Sequence, residues 1–404
     1  MTHDDQRQGK QQLTVPLLMG LALLTSSGPF AIDMYLPALP VLAEDLGTTD
    51  SMTQLTLSGF VLGLAIGQLV TGPVSDSLGR RKLMVGGAIL ALAAAVLAAL
   101  APTIEILILA RLLQGLGGGA CVVLARAVIP DLAQGDRAAR AFALLMAIQG
   151  IAPIAAPVVG GLLVEPLGWR GLFWILSAIA FAQLLVALFV VRESKPPEER
   201  SPFTVAGILG NFGYVLRNRG YRGYLISFAL GFSTMFAYIS ASPFVLQNQL
   251  GFSVQAYALI FGFNSVGLLL ANTVNARLIG RLDTHDILRV CLVLILVFSG
   301  ALVVVMLVHP VAWLILPLLF LAVSLVGPVL SNSTALGTGL VNRRAGAASA
   351  LMGFLQFGLA GVVSPLVGLG ANAGLSMALG MAVCSALAVL GAVYAGKGRE
   401  AAQG

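Results

Sequence analysis

The sequence is short of charge. Only 10% of its 404 residues are Asp, Glu, Lys or Arg, against about 25% in a soluble domain, while 58% are hydrophobic. That balance excludes a chain bathed in water on all sides. Histidine and cysteine are scarcer still, three of each. Cys121, Cys291 and Cys384 fall in three separate apolar runs, and His3, His285 and His309 in the amino-terminal tail or in loops, so neither a disulfide pair nor a zinc spacing is suggested. They read as small buried thiols and solvated imidazoles. With no histidine in any apolar run, a membrane enzyme would lack its nucleophile–base pair or metal cluster. Ten-residue stretches of alternating apolar and polar residues are also missing, which argues against a membrane β-barrel.

What the chain has instead is a series of apolar runs of about 20 residues, each long enough to cross roughly 30 Å of hydrocarbon as a helix. Twelve are predicted, over 13–37, 52–73, 83–101, 104–126, 140–163, 171–191, 223–245, 256–279, 287–308, 311–332, 346–369 and 373–395. The first is longer than the apolar core of a secretory signal, has no A-x-A-like cleavage site and is followed by further spans, so it reads as an uncleaved helix. Charge supports the map independently. With both termini cytoplasmic, all 23 Lys and Arg except Arg111 and Arg170 fall in cytoplasmic segments, the bias that orients membrane helices. The net charge of +6 then reflects orientation and requires no nucleic-acid partner.

Residues 192–222 interrupt the pattern with charge and proline, leaving six spans on either side. The expected fold class is an all-α integral membrane protein of twelve helices: a six-helix bundle over 1–191, a cytoplasmic linker over 192–222 and a second six-helix bundle over 223–404. Within the linker, Phe203 to Leu216 carries an apolar set suited to a short helix lying on anionic lipid. The halves also echo each other. "LMAIQGIAPIAAPVVG" in span five is matched by "LMGFLQFGLAGVVSPLVG" in span eleven, with Met146, Gln149, Pro157 and Gly160 against Met352, Gln356, Pro365 and Gly368. The offset of 206 to 208 residues is near half the chain. Chance likeness between apolar helices is the alternative; with the six-plus-six layout it suggests two related bundles and a site between them near the midplane.

Two charges lie deep in the spans. In "TSSGPFAIDMYLPALP", Asp33 follows about twenty residues without a formal charge, and a carboxylate in hydrocarbon needs a reason. At 1.5 Å per residue, Asp33 in span one and Arg111 in span four lie about 6 and about 10 Å below the outer boundary. Such similar levels suggest an ion pair or a water-bridged pair across a cavity. Burial disfavours an ionised carboxylate and a nearby cation favours it, so a group balanced between them can load and release a proton. Arginine stays charged and would tune that acid. The structural alternatives are a carboxylate capping a helix broken near Pro29 or Pro37, and a guanidinium clamping backbone carbonyls.

Behind Arg111, in "RLLQGLGGGA", Gln114, Gly115, Gly118 and Gly119 share or border its face, and the glycines admit a close neighbouring helix. The same letters match a dinucleotide fingerprint, and "GAVYAGKG" resembles a phosphate loop. The first follows no strand and lies inside a span, and the second has Gly398 where Ser or Thr is required and ends a helix, so ATP is not expected to drive the protein directly.

The loop "GPVSDSLGRRKL", Gly72 to Leu83, is more specific. Gly72 and Gly79 suit close packing and a tight turn, and Asp76 can pair with Arg80 or meet a helix N-terminus. The loop resembles the G-x-L-x-D-R-x-G-R-[RK]-x-L signature of the major facilitator superfamily, with Val74 and Ser77 replacing the usual Leu and Arg. "RLLQGLGGG" is similar to that superfamily's fourth-helix motif. "GIAPIAAPVVGG" looks like its antiporter motif, with Ala156 where Gly is usual, and "FAIDMYLPALP" like the Bcr/CflA group of proton-linked drug exporters. The likeness covers the whole chain, although the equivalent loop of the second half, "ARLIGRLDTHDI", is degraded. The resemblance implies that Asp33 takes part in proton and drug binding and that Arg111 is tied to proton coupling. It implies an inner-side latch of Gly72, Asp76, Gly79, Arg80 and Arg81, with Asp131, favouring an outward-facing state. It also implies a kinked fifth helix shaped by Gly150, Pro153, Ala156, Pro157, Gly160 and Gly161. The residues agree on the kink, since Pro153 and Pro157 each remove a helix hydrogen bond.

Candidates for a substrate cavity are Asp33 and the apolar or neutral-polar positions Tyr35, Gln114, Met146, Gln149, Phe232, Met235, Phe236, Tyr238, Asn264, Asn272, Met352 and Gln356. Methionine and aromatic surfaces adapt to varied ligands, and a pocket with one acid suits neutral or cationic amphiphiles; helix packing explains each residue alone equally well. The expected function is a proton-coupled multidrug exporter, phenicol- or bicyclomycin-like antibiotics among its cargo. It is expected in the bacterial inner membrane, monomeric, with small-molecule drugs, protons and lipid as partners and no cofactor beyond the proton gradient. A metabolite symporter of the same fold would show charged or sugar-binding cavity residues, and a membrane sensor a soluble signalling segment.

Overall fold

The computed structural model describes residues 13–133, 135–200, 204–341 and 344–403; His3, Arg7, Lys10, Phe203 and Arg343 lie outside the described residues. The elements are α1 (Val15–Thr25), α2 (Ser27–Asp33), α3 (Leu39–Asp45), α4 (Asp50–Leu78), α5 (Arg80–Ala99), α6 (Ile104–Leu132), α7 (Gly135–Leu185), α8 (Val205–Arg217), α9 (Arg219–Pro243), α10 (Val254–Leu278), α11 (Thr284–Val308), α12 (Ala312–Ser324), α13 (Val326–Gly339), α14 (Ala345–Gly368) and α15 (Ala373–Gln403). Among the described residues, strand-like pairing is limited to one bridge between Ile279 and Leu282. Among the described residues, eleven helical stretches are long and apolar enough to cross a membrane. One of them, Arg140–Val190, is double: at Gly168 the backbone leaves the helix with φ 65° and ψ 177°, just after Pro166. Split there, the helices supply the twelve spans that the apolar runs predict.

The first span is the least regular, for a local reason. Pro29, Pro37 and Pro40 have no N–H to donate, and the chain divides into α1, α2, a 3₁₀ turn over Leu36–Ala38 and α3. Hydroxyls mend the first break. Thr25 and Ser26 donate to the carbonyl of Ala22 at 2.9 and 2.8 Å, and Ser27 donates to that of Leu24 at 2.9 Å. Asp33 thus ends a seven-residue helix rather than sitting inside a long one.

Packing in the first half rests on bare backbone. A Cβ added to Gly63 would collide with the carbonyl oxygen of Leu112, and one added to Gly115 with that of Phe60, so α4 and α6 touch backbone to backbone. The first six spans pack on one another and the last six do likewise; the two sets meet along two main seams, α4 against α14 and α7 against α10. In span numbers, five meets eight and eleven meets two, the pairing that the repeat between spans five and eleven leads one to expect.

The largest buried cluster draws on both sets, from Tyr35, Phe60 and Phe173 to Phe236, Tyr238 and Tyr257. It lies toward the end remote from residues 192–222, called here the far end. Among the described residues, four hydrogen bonds tie the sets together. Ser51 Oγ donates to Pro365 O at 3.3 Å, Ser364 Oγ to Gln54 O at 3.5 Å, Gln247 Nε2 to Pro37 O at 3.1 Å and Ser265 Oγ to Pro153 O at 3.2 Å. Three of these bonds and the apolar cluster around them close the far end, and the Ser265–Pro153 bond lies deeper, at mid-span.

The short linker helix expected from Phe203 to Leu216 is present as α8, Val205–Arg217, and it ends where Asn218 turns the chain and caps α9 by accepting from Tyr221 N at 3.0 Å. One sequence expectation is corrected here. His285 is buried rather than solvated, since it starts α11 and packs inward against Tyr224, whose hydroxyl meets its Nδ1 at 3.2 Å. The three thiols are buried and free.

Candidate functional site

Asp33 is 5% exposed and accepts no hydrogen bond from any described residue. Its helix ends at Asp33 itself, so the carboxylate caps no helix. The groups within its electrostatic reach belong to the second half: the hydroxyls of Tyr238 and Tyr257. Tyr238 accepts a hydrogen bond from Asn264 Nδ2 at 2.8 Å and stacks on Phe261 with centroids 5.6 Å apart. The Tyr257 hydroxyl lies 3.3 Å from Ser242 Oγ. An acid from span one therefore lies within charge range of a neutral polar cluster carried by α9 and α10, with no hydrogen bond to it.

Arg111 is not its partner. Among the described residues no ion pair joins the two. Arg111 is fully buried, donating from Nη1 to Gln114 Oε1 at 2.7 Å and from Nη2 to the carbonyl of Ala31 at 2.6 Å. Three rings enclose it, with Cζ 4.6 Å from the centroid of Tyr35, 4.4 Å from Phe60 and 5.6 Å from Phe173. Aromatic faces stabilise a desolvated guanidinium without neutralising it, although the Arg111 Nε itself has no hydrogen-bond partner. The expected pair across a cavity gives way to a backbone clamp two residues upstream of the acid. Depth along two helices sets a shared level, but not the direction in which each side chain points.

Tyr35 is corrected for the same reason. It is buried in the first half, its hydroxyl 2.9 Å from Thr56 Oγ1 and its ring 5.3 Å from Phe173, so it walls the arginine cage rather than a substrate cavity. Met352 is likewise packing, set against Gly337 in a buried cluster with Tyr221. Asn272 lies against Gly327 of α13. Phe232 and Phe236 stack at 5.9 Å, and Phe357 of α14 meets Phe232 edge-on at 5.4 Å; Met235 and Gln356 are partly buried. Met146 is exposed, and Gln149 bonds within the first half, accepting from Arg126 at 3.2 Å and donating to Thr25 O at 3.3 Å.

The antiporter-like segment touches the acid's own backbone. A Cβ on Gly160 would strike the carbonyl oxygen of Met34, the residue after Asp33. Gly161 packs against Ala258 of α10, and Pro153 O is one of the bonds across the seam. Ala156 is fully buried, and Pro157 lies inside the helix. Gly150 faces open space, with nothing within 4 Å of an added Cβ, so no close packing requires it.

Of the residues expected to form a latch, Asp76, Gly79, Arg80 and Asp131 come together, with additions. Arg80 pairs with Asp76 at 2.9 Å and with Asp131 at 3.1 Å, and also donates to Ser75 Oγ. Three linker residues missed by sequence reading complete the cluster. Lys195 Nζ reaches Asp76 at 2.6 Å, Ser194 Oγ donates to Asp131 at 2.8 Å, and Glu193 accepts from the backbone N–H of Arg80 at 2.8 Å and of Arg81 at 3.3 Å. Glu193 thereby caps the N-terminus of α5, where a negative charge is favoured. Gly79, at φ 96°, makes the turn, and a Cβ there would meet the Glu193 carboxylate at 2.6 Å. Arg81 points elsewhere, donating to Leu188 O at 2.7 Å, and Gly72 only brushes Val123 at 3.7 Å. In the sequence, "RESK" reads as a solvated charge run; its opposite charges beside a charged loop were the available signal. Tyr257 and Ser242 carried none, because apolar helices are full of such residues.

Comparison with known proteins agrees with this architecture. The family model of the Major Facilitator Superfamily matches residues 21–365. The chain is 34% identical to "Uncharacterized MFS-type transporter YdgK" of Bacillus subtilis, over 95% of both chains. It is 30% identical to "Multidrug resistance protein MdtL" of Escherichia coli over 93% of this chain and 94% of that one. It is 27% identical to "Bicyclomycin resistance protein homolog" of Haemophilus influenzae over 89% and 90%. In fold it resembles the crystal structure of the nucleoside transporter NupG, with a TM-score of 0.73, 15% identity, and coverage of 95% and 99%. The helical spans, the paired seams and a family match over most of the chain converge: this is a multi-pass membrane transporter, not an enzyme, and it belongs to the major facilitator superfamily.

Proposed function

We propose that the transporter is a drug:proton antiporter of the inner membrane, exporting lipophilic neutral or cationic antibiotics of phenicol or bicyclomycin type. The names of the Escherichia coli and Haemophilus influenzae relatives support the drug class. The observation that carries the proton is Asp33, a lone acid sealed against the second half with no cation beside it. The termini and the linker face the cytoplasm, following the basic residues, so the closed far end faces outward and cargo enters from the linker end.

The residues give the cycle a physical order. An ionised carboxylate enclosed without a partner is costly, whereas a protonated one can donate to a tyrosine hydroxyl. Closure of the far end therefore favours protonated Asp33. Opening of the linker end lets that proton leave to the cytoplasm as a drug enters, and the ionised acid then favours the conformer in which outside water reaches it. The two bundles, 1–191 and 223–404, rock about the seams α4–α14 and α7–α10. Each charge crossing inward releases about 2.3 kcal/mol per 100 mV, so the gradient supplies the energy and no cofactor is needed. The unit is a monomer.

The test is Asp33→Asn in proteoliposomes with an imposed pH gradient. Gradient-driven transport of a phenicol disappears while downhill exchange persists. Wild-type accumulation by that variant would remove the acid from the mechanism.

A further inference from the structure

Arg126 is a second cation of α6, fifteen residues and about 22 Å along the helix from Arg111, at the cytoplasmic edge of the fourth predicted span. Unlike Arg111 it has no aromatic cage. Its described polar partner is the neutral amide of Gln149, whose Oε1 accepts from Nη2 at 3.2 Å. Gln149 in turn donates from Nε2 to Thr25 O at 3.3 Å, which fixes the amide with its acceptor toward the arginine. The Nε of Arg126 is sealed from solvent and has no hydrogen-bond partner. The nearest acid on the same helix, Asp131, is engaged by Arg80 and Ser194. The residue as a whole is partly buried, and it lies six residues from the linker-side end of α6.

A guanidinium carries five N–H donors and a permanent charge. Within a membrane span such a charge is paired or marks a ligand path. Here it is oriented by a positioned amide, uncompensated by any described acid and not fully enclosed. One turn before Gln149, on the same face of α7, Met146 presents an adaptable apolar surface that is 51% exposed.

We infer that Arg126, positioned by Gln149, binds the oxyanion of an amphiphilic ligand, a carboxylate or phosphate whose apolar body lies along Met146. The site extends the proposed cargo from neutral and cationic drugs to acidic and zwitterionic ones, and so rests on the export reading. It lies toward the linker end of the path, where cargo is first met, and it requires no contact with Asp33.

The test uses the full chain in phosphatidylcholine nanodiscs with two probes, tetramethylrhodamine, which bears a free carboxylate, and its methyl ester. Fluorescence anisotropy reads binding to wild type, Arg126→Gln and Arg126→Lys, with empty discs as blank. Arg126→Gln weakens the acid probe by about tenfold, the scale of one charge-assisted hydrogen bond, and leaves the ester within about twofold. Arg126→Lys retains part of the acid affinity. Ester binding certifies that each variant is folded. If adding phosphatidylglycerol weakens the acid probe in wild type alone, the oxyanion is a lipid headgroup; if it has no effect, the oxyanion is that of the cargo. Equal acid affinity in wild type and Arg126→Gln, or no saturable acid binding to wild type, overturns the inference. Proton-driven transport of the ester would survive that outcome and keep the export reading standing, whereas its absence would count against export.

Discussion

Arg111 donates to the carbonyl oxygen of Ala31 at 2.6 Å and leaves Asp33, two residues later, without a cation. The arginine governs where the acid stands, and does so through the backbone. A carboxylate paired with a guanidinium would stay ionised through the cycle. One placed by a clamp and left unpaired suits the proposed proton carrier, since nothing cationic holds it ionised.

Arg111→Lys tests the clamp. A lysine keeps the charge but cannot hold Ala31 O and Gln114 Oε1 with one planar group. Loss of a buried charged hydrogen bond costs about 1.5–3 kcal/mol. The variant is expected to unfold at lower temperature in detergent and to exchange at least about tenfold more slowly. Wild-type exchange by Arg111→Lys would show that charge alone suffices.

Tyr238→Phe removes the acceptor of Asn264 Nδ2 and one hydroxyl within charge range of Asp33. A buried donor left unsatisfied costs about 1–3 kcal/mol. Proton-driven transport is expected to fall more steeply than downhill exchange, because the neutral acid loses a partner in the closed state. Tyr238→Phe with Asn264→Leu removes donor and acceptor together, so it should recover thermal stability without recovering coupling. Recovery of both would make Tyr238 a packing residue.

Two glycines of the antiporter-like segment separate by geometry. Gly160→Ala forces a Cβ into the carbonyl of Met34, while Gly150→Ala meets open space. Overpacking costs about 1–3 kcal/mol. Export is expected to fail in the first variant and to persist in the second, at equal expression. The reverse ranking in a drug-resistance assay would contradict the packing.

Glu193→Gln weakens the cap on α5 and unsettles the linker cluster around Asp76, Arg80 and Asp131. The cap is worth about 0.5–2 kcal/mol. A melting point unchanged within error, or a loss insensitive to salt, would show that the carboxylate is solvated in the working protein. The expected result is a lower melting temperature that narrows toward wild type as salt screens both proteins.

Much of the fold is legible in the chain itself. Hydrocarbon demands runs of about 20 apolar residues and internally satisfied backbones, so runs, prolines and basic loops mark the crossings, the linker and the repeat. Asp33 stands out because a carboxylate is conspicuous in such a run, and the loop from Gly72 because its charges are spaced for a turn.

The sequence by itself determined how many times the chain crosses, which half each helix belongs to and which residues carry charge where charge is costly. Only the tertiary structure decided the partners. It gave Arg111 to a carbonyl and three rings, left Asp33 buried without a hydrogen bond, and gave Arg126 to Gln149 and the Asp76–Arg80 loop to Glu193, Ser194 and Lys195. Position along a helix fixes depth, whereas azimuth and contact depend on how neighbouring helices rotate and lean. Those angles are set by small residues such as Gly115 and Gly160, whose effect appears only once two backbones meet.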